Sequence, residues 1–188
     1  MTVYEFAKNA WRGGGPGVTL EQAAAVPYAS LGVRLGGGPE AMIILAGEMG
    51  EERLWTSAAK IALTTRSGRI VRTAGLPHDL GGYESMGDLD EYGARTVRWR
   101  GDFPDLKLYS VSIVCQDRQA GDETIVVLGR DIHTRRIDES CSSESRQLDW
   151  SFENTYWIDP ANSLVWRSIQ HVHPQLDAIE IEVLRPPD

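Results

Sequence analysis

The chain has 188 residues, 41% of them hydrophobic and 24% charged, with a formal net charge of −8. Its length and apolar content suit one domain with a sizeable core and exclude a disordered tail. The acidic balance argues against a general nucleic-acid binder, which needs a basic surface to displace counterions. No apolar run reaches the roughly 18 residues with which a helix spans a bilayer.

Met1-Thr2-Val3 opens into a polar, amphipathic stretch and not into a signal peptide. Val3, Phe6, Ala7 and Ala10 recur at helical spacing and predict a short helix over residues 2–11, ended by Gly13-Gly14-Gly15-Pro16-Gly17. Thr19 and Gln22 form a capping-box pattern for a brief helical turn that Pro27 stops. From Tyr28 onward the period changes to two. Strands are predicted over residues 28–35, 41–46, 53–57, 60–65 and 69–73, then 95–100, 107–115, 124–135, 148–158, 164–173 and 178–184. Gly36-Gly37-Gly38-Pro39, Ser67-Gly68, Gly81-Gly82, Gly121-Asp122 and Asp159-Pro160-Ala161-Asn162 read as turns between them. The pattern predicts a mainly β fold, an antiparallel β-sandwich or barrel-like sheet with one or two short N-terminal helices. With no linker or internal repeat, residues 1–188 read as a single domain, and 1–26 as its helical and loop N-terminal segment.

Two hairpins have registers that the sequence suggests. A three-residue loop Arg66-Ser67-Gly68 would place Leu63 opposite Val71 and Ile61 opposite Thr73, keeping the apolar face intact. Pairing Ile158 with Ser163 would set Trp150, Phe152, Tyr156, Val165 and Ile169 on a core face. Asp149, Ser151, Glu153, Ser168 and Gln170 would then face outward, joined by Trp157, Leu164 and Trp166 near the turn.

These placements nominate binding residues. Trp157 and Trp166 would be diagonal neighbours, and an exposed aromatic pair beside polar groups can stack on sugar rings; coverage by another strand or by the N-terminal helix is the alternative. Arg66, Arg69 and Arg72 cluster in one hairpin, and Arg95, Arg98 and Arg100 in another strand. Guanidinium forks suit carboxylates and phosphates, while a solvated face is the plainer reading. Cys115 and Cys141 either form one disulfide in an oxidising compartment or remain a buried strand thiol and a free loop thiol; sequence leaves both open. His171-Val172-His173 has metal-like spacing but needs a third ligand, such as Asp177 or Glu180, to fold back. Asp138, Glu139 and Glu144 fall in a Ser-rich segment, 138–146, that reads as a solvated loop rather than a glycosidase carboxylate pair. No phosphate loop or nucleophile elbow is present. No catalytic residue, cofactor or metal is therefore assigned.

The run from Ala58 to Leu80, placed after Leu54-Trp55, carries a resemblance. Within it, Gly68-Arg69-Ile70-Val71-Arg72-Thr73-Ala74-Gly75-Leu76 is the most specific piece. Pro27-Tyr28-Ala29-Ser30 leading into Arg34, Met42 to Leu45, the Trp150 to Trp157 strand, Trp166-Arg167-Ser168 and Ile181 to Pro187 match in order. In these features the chain resembles the YjbF/GfcB-type capsule polysaccharide lipoprotein family. The resemblance implies a non-enzymatic, β-rich accessory protein of exopolysaccharide or capsule secretion. It implies a place at the periplasmic face of the outer membrane of a Gram-negative cell, held by an N-terminal lipid anchor that this sequence does not carry. The expected partners are an acidic polysaccharide, polysaccharide export proteins, or both. Two other roles compete. One is a lipid- or lipoprotein-handling β-domain whose apolar cavity is covered by Phe6 and Trp11; the other is a structural envelope module whose sheet edge pairs with another protein.

Overall fold

A computed structural model describes residues 17–91 and 94–187. The predicted helix over 2–11, with Phe6 and Trp11, lies outside the described residues. The capping box forms: Gln22 N donates to Thr19 Oγ1 at 3.2 Å and Thr19 N to Gln22 Oε1 at 2.8 Å. It starts helix α1, Leu20–Ala24. Val18, Ala23 and Val26 pack with Met42 and Leu184 as a small cluster on the outer face of the sheet. Glu40, held above its usual pKa by burial, accepts from Val18 N at 2.6 Å and ties this segment down.

Among the described residues, twelve strands form one antiparallel sheet. They are β1 Ser30–Leu35, β2 Ala41–Met49, β3 Glu52–Thr56, β4 Ala62–Arg66, β5 Arg69–Ala74, β6 Gly82–Glu91, β7 Ala94–Phe103, β8 Leu108–Val127, β9 Arg130–Ser143, β10 Ser151–Ile158, β11 Val165–Gln170 and β12 Ile179–Arg185. The order is β5-β4-β3-β2-β1-β12-β11-β10-β9-β8-β7-β6. Two meanders, β1 to β5 and β6 to β12, are joined where β1 pairs with β12, Val33 opposite Ile181. The sheet curls into a nearly closed barrel, so β5 meets β6.

That seam is closed by a few contacts around the loop between β5 and β6. Thr73 N donates to Leu80 O at 3.0 Å, and Leu80 N to Thr73 Oγ1 at 2.8 Å. Asp79 accepts from Thr73 Oγ1, Gly75 N and Leu76 N. Gly75 sits at φ +87°, and a Cβ there would lie 2.5 Å from Lys60 O, so only glycine fits. The Gly75-Leu76 and Asp79-Leu80 pairs of the family-like run thus make the loop that closes the barrel.

Both predicted hairpin registers are corrected. Arg66 pairs with Arg69 across a two-residue Ser67-Gly68 turn, both residues at positive φ, as a tight primed turn requires. A bulge beyond Thr65 then sets Leu63 opposite Thr73, not Val71. The bulge lets consecutive Ile70 and Val71 both be buried, which strict alternation forbids. In the second hairpin Ile158 pairs with Val165 and Trp157 with Arg167, leaving Trp166 as the extra residue. The loop is longer than expected because Asp159 N donates to Leu164 O and Ser163 N to Asp159 O. Ser168 therefore lies opposite Tyr156, and Ser168 and Gln170, expected to face outward, are buried.

The hairpin of β8 and β9 is longer than predicted. Gly121, expected in a turn, pairs with Arg136 at φ +113° beside a bulge at Ala120, and the chain reverses at Leu128-Gly129. Strand β9 absorbs most of the Ser-rich segment read as a loop. Ile137, Glu139 and Cys141 continue its inward alternation, so Glu139 is 1% exposed rather than solvated.

One end of the barrel carries the connecting loops 36–40, 75–81, 104–107 and 171–178. It is plugged by aromatic packing: Phe103 meets Trp150 edge-on at 5.8 Å, and Trp150 stacks on Phe152 at 4.0 Å. The other end carries the tight turns at 50–51, 67–68 and 128–129 and the loop 159–164.

Candidate functional site

Strand β5 is held to the opposite wall by side chains that cross the barrel. Gln170 of β11 accepts from Ile70 N at 2.9 Å and donates to Gly68 O and Ser168 Oγ, each at 2.8 Å. Beside it the Arg69 guanidinium pairs with the buried Glu139 carboxylate. Glu139 also accepts from Asn154 Nδ2 at 2.8 Å and from the Tyr156 hydroxyl at 3.5 Å. Arg69 lies 4.5 Å over the Trp99 ring and 5.2 Å over Tyr156, and Tyr83 stacks with Trp99 at 4.9 Å. Burial opposes the Arg69 charge, but pairing with the Glu139 carboxylate offsets it and the pKa is raised. Burial likewise pushes the Tyr156 hydroxyl well up, so it stays a protonated donor.

The turn end holds two cavities, parted by the Ser67-Gly68 turn seated against Val165. A Cβ on Gly68 would lie 2.4 Å from Val165. The larger cavity, about 750 Å³, is lined by Arg66, Arg69, Arg95, Trp99, Asp117 and Tyr156 among others. Arg66 pairs with Glu52 at 2.5 Å and remains 38% exposed at the rim. The Trp99 indole N–H is buried there without a partner among the described residues. The smaller cavity, about 520 Å³, has Leu31, Trp55, Trp166, Ile181 and Val183 in its lining.

The nominated residues divide between these settings. Arg66 and Arg69 share the larger cavity, but Arg72 points outward, exposed, and donates to Gly81 O at 3.2 Å. The Arg95, Arg98 and Arg100 cluster separates in the same way: Arg98 faces Glu144 at 3.2 Å on the outer side. Trp157 and Trp166 are not an exposed platform, each being 8% exposed. Arg136 and Arg167 cover the Trp157 ring at 5.7 and 5.9 Å, and its N–H donates to Glu123 at 3.0 Å. Trp166 turns toward the smaller cavity with Arg130 at 5.9 Å over its ring. Cys115 and Cys141, directly opposed on β8 and β9, are joined by a disulfide and buried.

The two histidines part as well. His171 Nδ1 meets Glu153 O at 2.9 Å. His173 is buried, with Nε2 at 2.9 Å from Asp105, whose other oxygen meets His78 Nδ1 at 2.7 Å; the two rings stack at 5.0 Å. Sequence reasoning missed this trio because its members come from three separate loops. The ligand types would suit a metal. However, a metal-bound imidazole donates its second N–H, whereas His173 Nδ1 accepts from Gln175 N at 3.1 Å. Its proton therefore sits on Nε2, facing Asp105, and the trio is a hydrogen-bonded clasp across the loop end. Burial lowers the His173 pKa, and the His78 hydrogen bond leads in lowering that of Asp105. The folded chain thus keeps His173 neutral to a lower pH than the unfolded chain does. Its contribution is present above pH 6.5 and is lost as the pH falls through the lowered folded value. Urea unfolding at stepped pH is expected to show stability declining below pH 6.5, with a shallower decline in His173→Gln.

Fold and site together define a small, nearly closed β-barrel with ligand-sized cavities at one end. The family model described as group 4 capsule polysaccharide lipoprotein gfcB, YjbF matches residues 5–184, and the chain belongs to that family. It is 26% identical over 176 residues to the uncharacterized lipoprotein GfcB of Escherichia coli K12, covering 90% of this chain and 81% of that protein. It is also 26% identical over 178 residues to the uncharacterized lipoprotein YjbF of the same strain, covering 84% and 78%. The crystal structure of the hypothetical lipoprotein YmcC from E. coli K12 superposes with a TM-score of 0.72 at 23% identity, covering 91% of this chain and 90% of that one. That likeness is one of fold.

Proposed function

We propose that this protein is a non-enzymatic accessory of exopolysaccharide or capsule secretion, and that it binds an acidic stretch of the glycan in its larger cavity. The family membership supports the pathway. The observation that carries the binding site is the cavity of about 750 Å³ with arginines at its rim and wall and a buried Trp99 N–H that has no partner among the described residues. Its size lies in the range of small-ligand sites. A uronic-acid carboxylate suits the Arg66 fork, which already holds one carboxylate, Glu52. A sugar oxygen suits the Trp99 donor. The working location in this reading is the periplasmic face of the outer membrane, through an N-terminal lipid.

Titration with exopolysaccharide oligomers from the host, followed by tryptophan fluorescence, tests this. Saturable quenching that weakens with added salt is expected. Arg66→Ala should weaken binding about tenfold, the lower end of what a charge-assisted hydrogen bond supplies, because Arg66 is partly solvated. Quenching that ignores both salt and this substitution would sink the cavity reading. Absence of quenching would move the partner from glycan to export protein, to be sought by crosslinking in intact envelopes.

A further inference from the structure

The smaller cavity has a different chemistry. Its floor is apolar: Leu31, Trp55, Trp166, Ile181 and Val183 are all buried there. Its polar side chains are largely satisfied by the protein itself. Trp55 Nε1 donates to Thr65 Oγ1 at 2.8 Å, Ser168 Oγ accepts from Gln170, and Asn162 Oδ1 accepts from Leu164 N at 2.9 Å. The exception is Trp166. Its ring is 8% exposed, and its indole N–H is the one buried side-chain donor in this lining without a partner among the described residues. A bulge sets it there, since Trp166 is the residue left over when Trp157 pairs with Arg167 and Ile158 with Val165.

A cavity with an apolar floor and one unsatisfied donor selects its ligand. The ligand must bring apolar surface and a single acceptor. A sugar meets the second demand and fails the first. Its hydroxyl protons would also need acceptors; the buried side-chain oxygens of the lining, those of Thr65 and Ser168, already accept, and those of Ser67, Asn162 and Ser163 lie at the exposed mouth, away from the floor. Unpaired hydroxyls are costly to bury. A hydrocarbon chain ending in a carboxyl or ester meets both demands, because its methylenes gain from leaving water and its carbonyl takes the N–H.

We infer that this second cavity is a site for a fatty acyl chain, with the acyl carbonyl oxygen accepting from Trp166 Nε1. The chain can be that of a free fatty acid or one ester-linked in a membrane lipid; the carbonyl and its methylenes are common to both. The site is separate from the arginine-lined cavity, although Ser67 and Val165 form part of both walls.

The test uses the unaltered protein and the fluorescent fatty acid cis-parinaric acid, excited by energy transfer from tryptophan. Saturable transfer is expected. Displacement by saturated methyl esters of increasing length should strengthen by roughly fourfold per methylene until the cavity is full, then level off. No saturable transfer, or a series that is flat in chain length, overturns the inference. Trp166→Phe keeps the ring and removes the donor, and should weaken a methyl ester about tenfold while leaving a plain alkane of equal length unchanged. Equal losses for both overturn the carbonyl contact. Displacement by phosphatidylglycerol vesicles supports a membrane lipid as the source, and displacement by palmitate alone supports free fatty acid. Glycan oligomers should not displace the probe. Loss of acyl binding with glycan quenching intact would overturn this inference alone, and the converse would overturn only the glycan reading.

Discussion

Arg69→Met is expected to lower the unfolding free energy by about 3–5 kcal/mol, the cost of leaving a buried carboxylate without its partner. Glu139 is 1% exposed, and Arg69 is its only cationic partner among the described ion pairs. Asn154 and Tyr156 remain as donors but bring no charge. The substitution also removes the guanidinium stacked on Trp99, which joins β5 to β7 across the seam. Equilibrium urea unfolding followed by tryptophan fluorescence measures the loss. Adding Glu139→Gln to the variant should restore most of the stability, since the amide needs no counter-charge. A double variant as unstable as Arg69→Met would show that the stacking on Trp99, and not the stranded carboxylate, dominates. Arg69 therefore serves the wall of the larger cavity, and Arg66 is the arginine whose removal tests binding without unfolding the barrel.

Reduction of the Cys115–Cys141 bond is expected to cost roughly 3 kcal/mol, from the loop-closure entropy returned to the unfolded chain by a separation of 26 residues. Both cysteines are buried, at 0% and 4% exposure. A thiol reductant should therefore act on the native protein only at the rate at which it opens. Unfolding curves taken with and without reductant, each after full equilibration in denaturant, give the energy. Equal midpoints would mean that the bond constrains nothing that the β8–β9 ladder has not already fixed.

Much of the barrel was legible because its causes are local. Thr19 and Gln22 specified α1 without help from the rest of the chain. Strand β12 alternates Ile179, Ile181 and Val183 inward with Glu180 and Glu182 between them, and the period alone finds it. Strand β6 was not legible. Its Glu84-Ser85-Met86-Gly87-Asp88 stretch has little strand propensity, and it is a strand because β7 offers it a ladder. The Ser-rich part of β9 was missed for a related reason. Its serines face solvent, where polarity is harmless, while Glu139 and Cys141 face inward.

The site was harder to see, because its contacts join distant parts of the chain. Arg66, Arg69 and Arg72 look like one patch in sequence, but Arg69 turns inward to the buried Glu139 while Arg72 stays exposed and donates to Gly81 O. Glu139 read as a surface acid because its partner is 70 residues away. The tryptophan pair failed as a platform because a bulge moved Trp166 and because Arg136 and Arg167 cover Trp157. A bulge leaves almost no mark on composition.

The strand order has a consequence for how the chain is made. A plain up-and-down barrel closes by pairing its first and last strands, so its seam lies at the termini. Here the first and last strands pair in mid-sheet, and the seam falls between consecutive β5 and β6. The molecule is, in effect, a meander circularly permuted. Each half can grow hairpin by hairpin, with contacts that are near in sequence and quick to form. The β1 edge must then wait, unpaired, for residues 179–185. Until they arrive it is an open strand edge, the form most exposed to pairing with another chain.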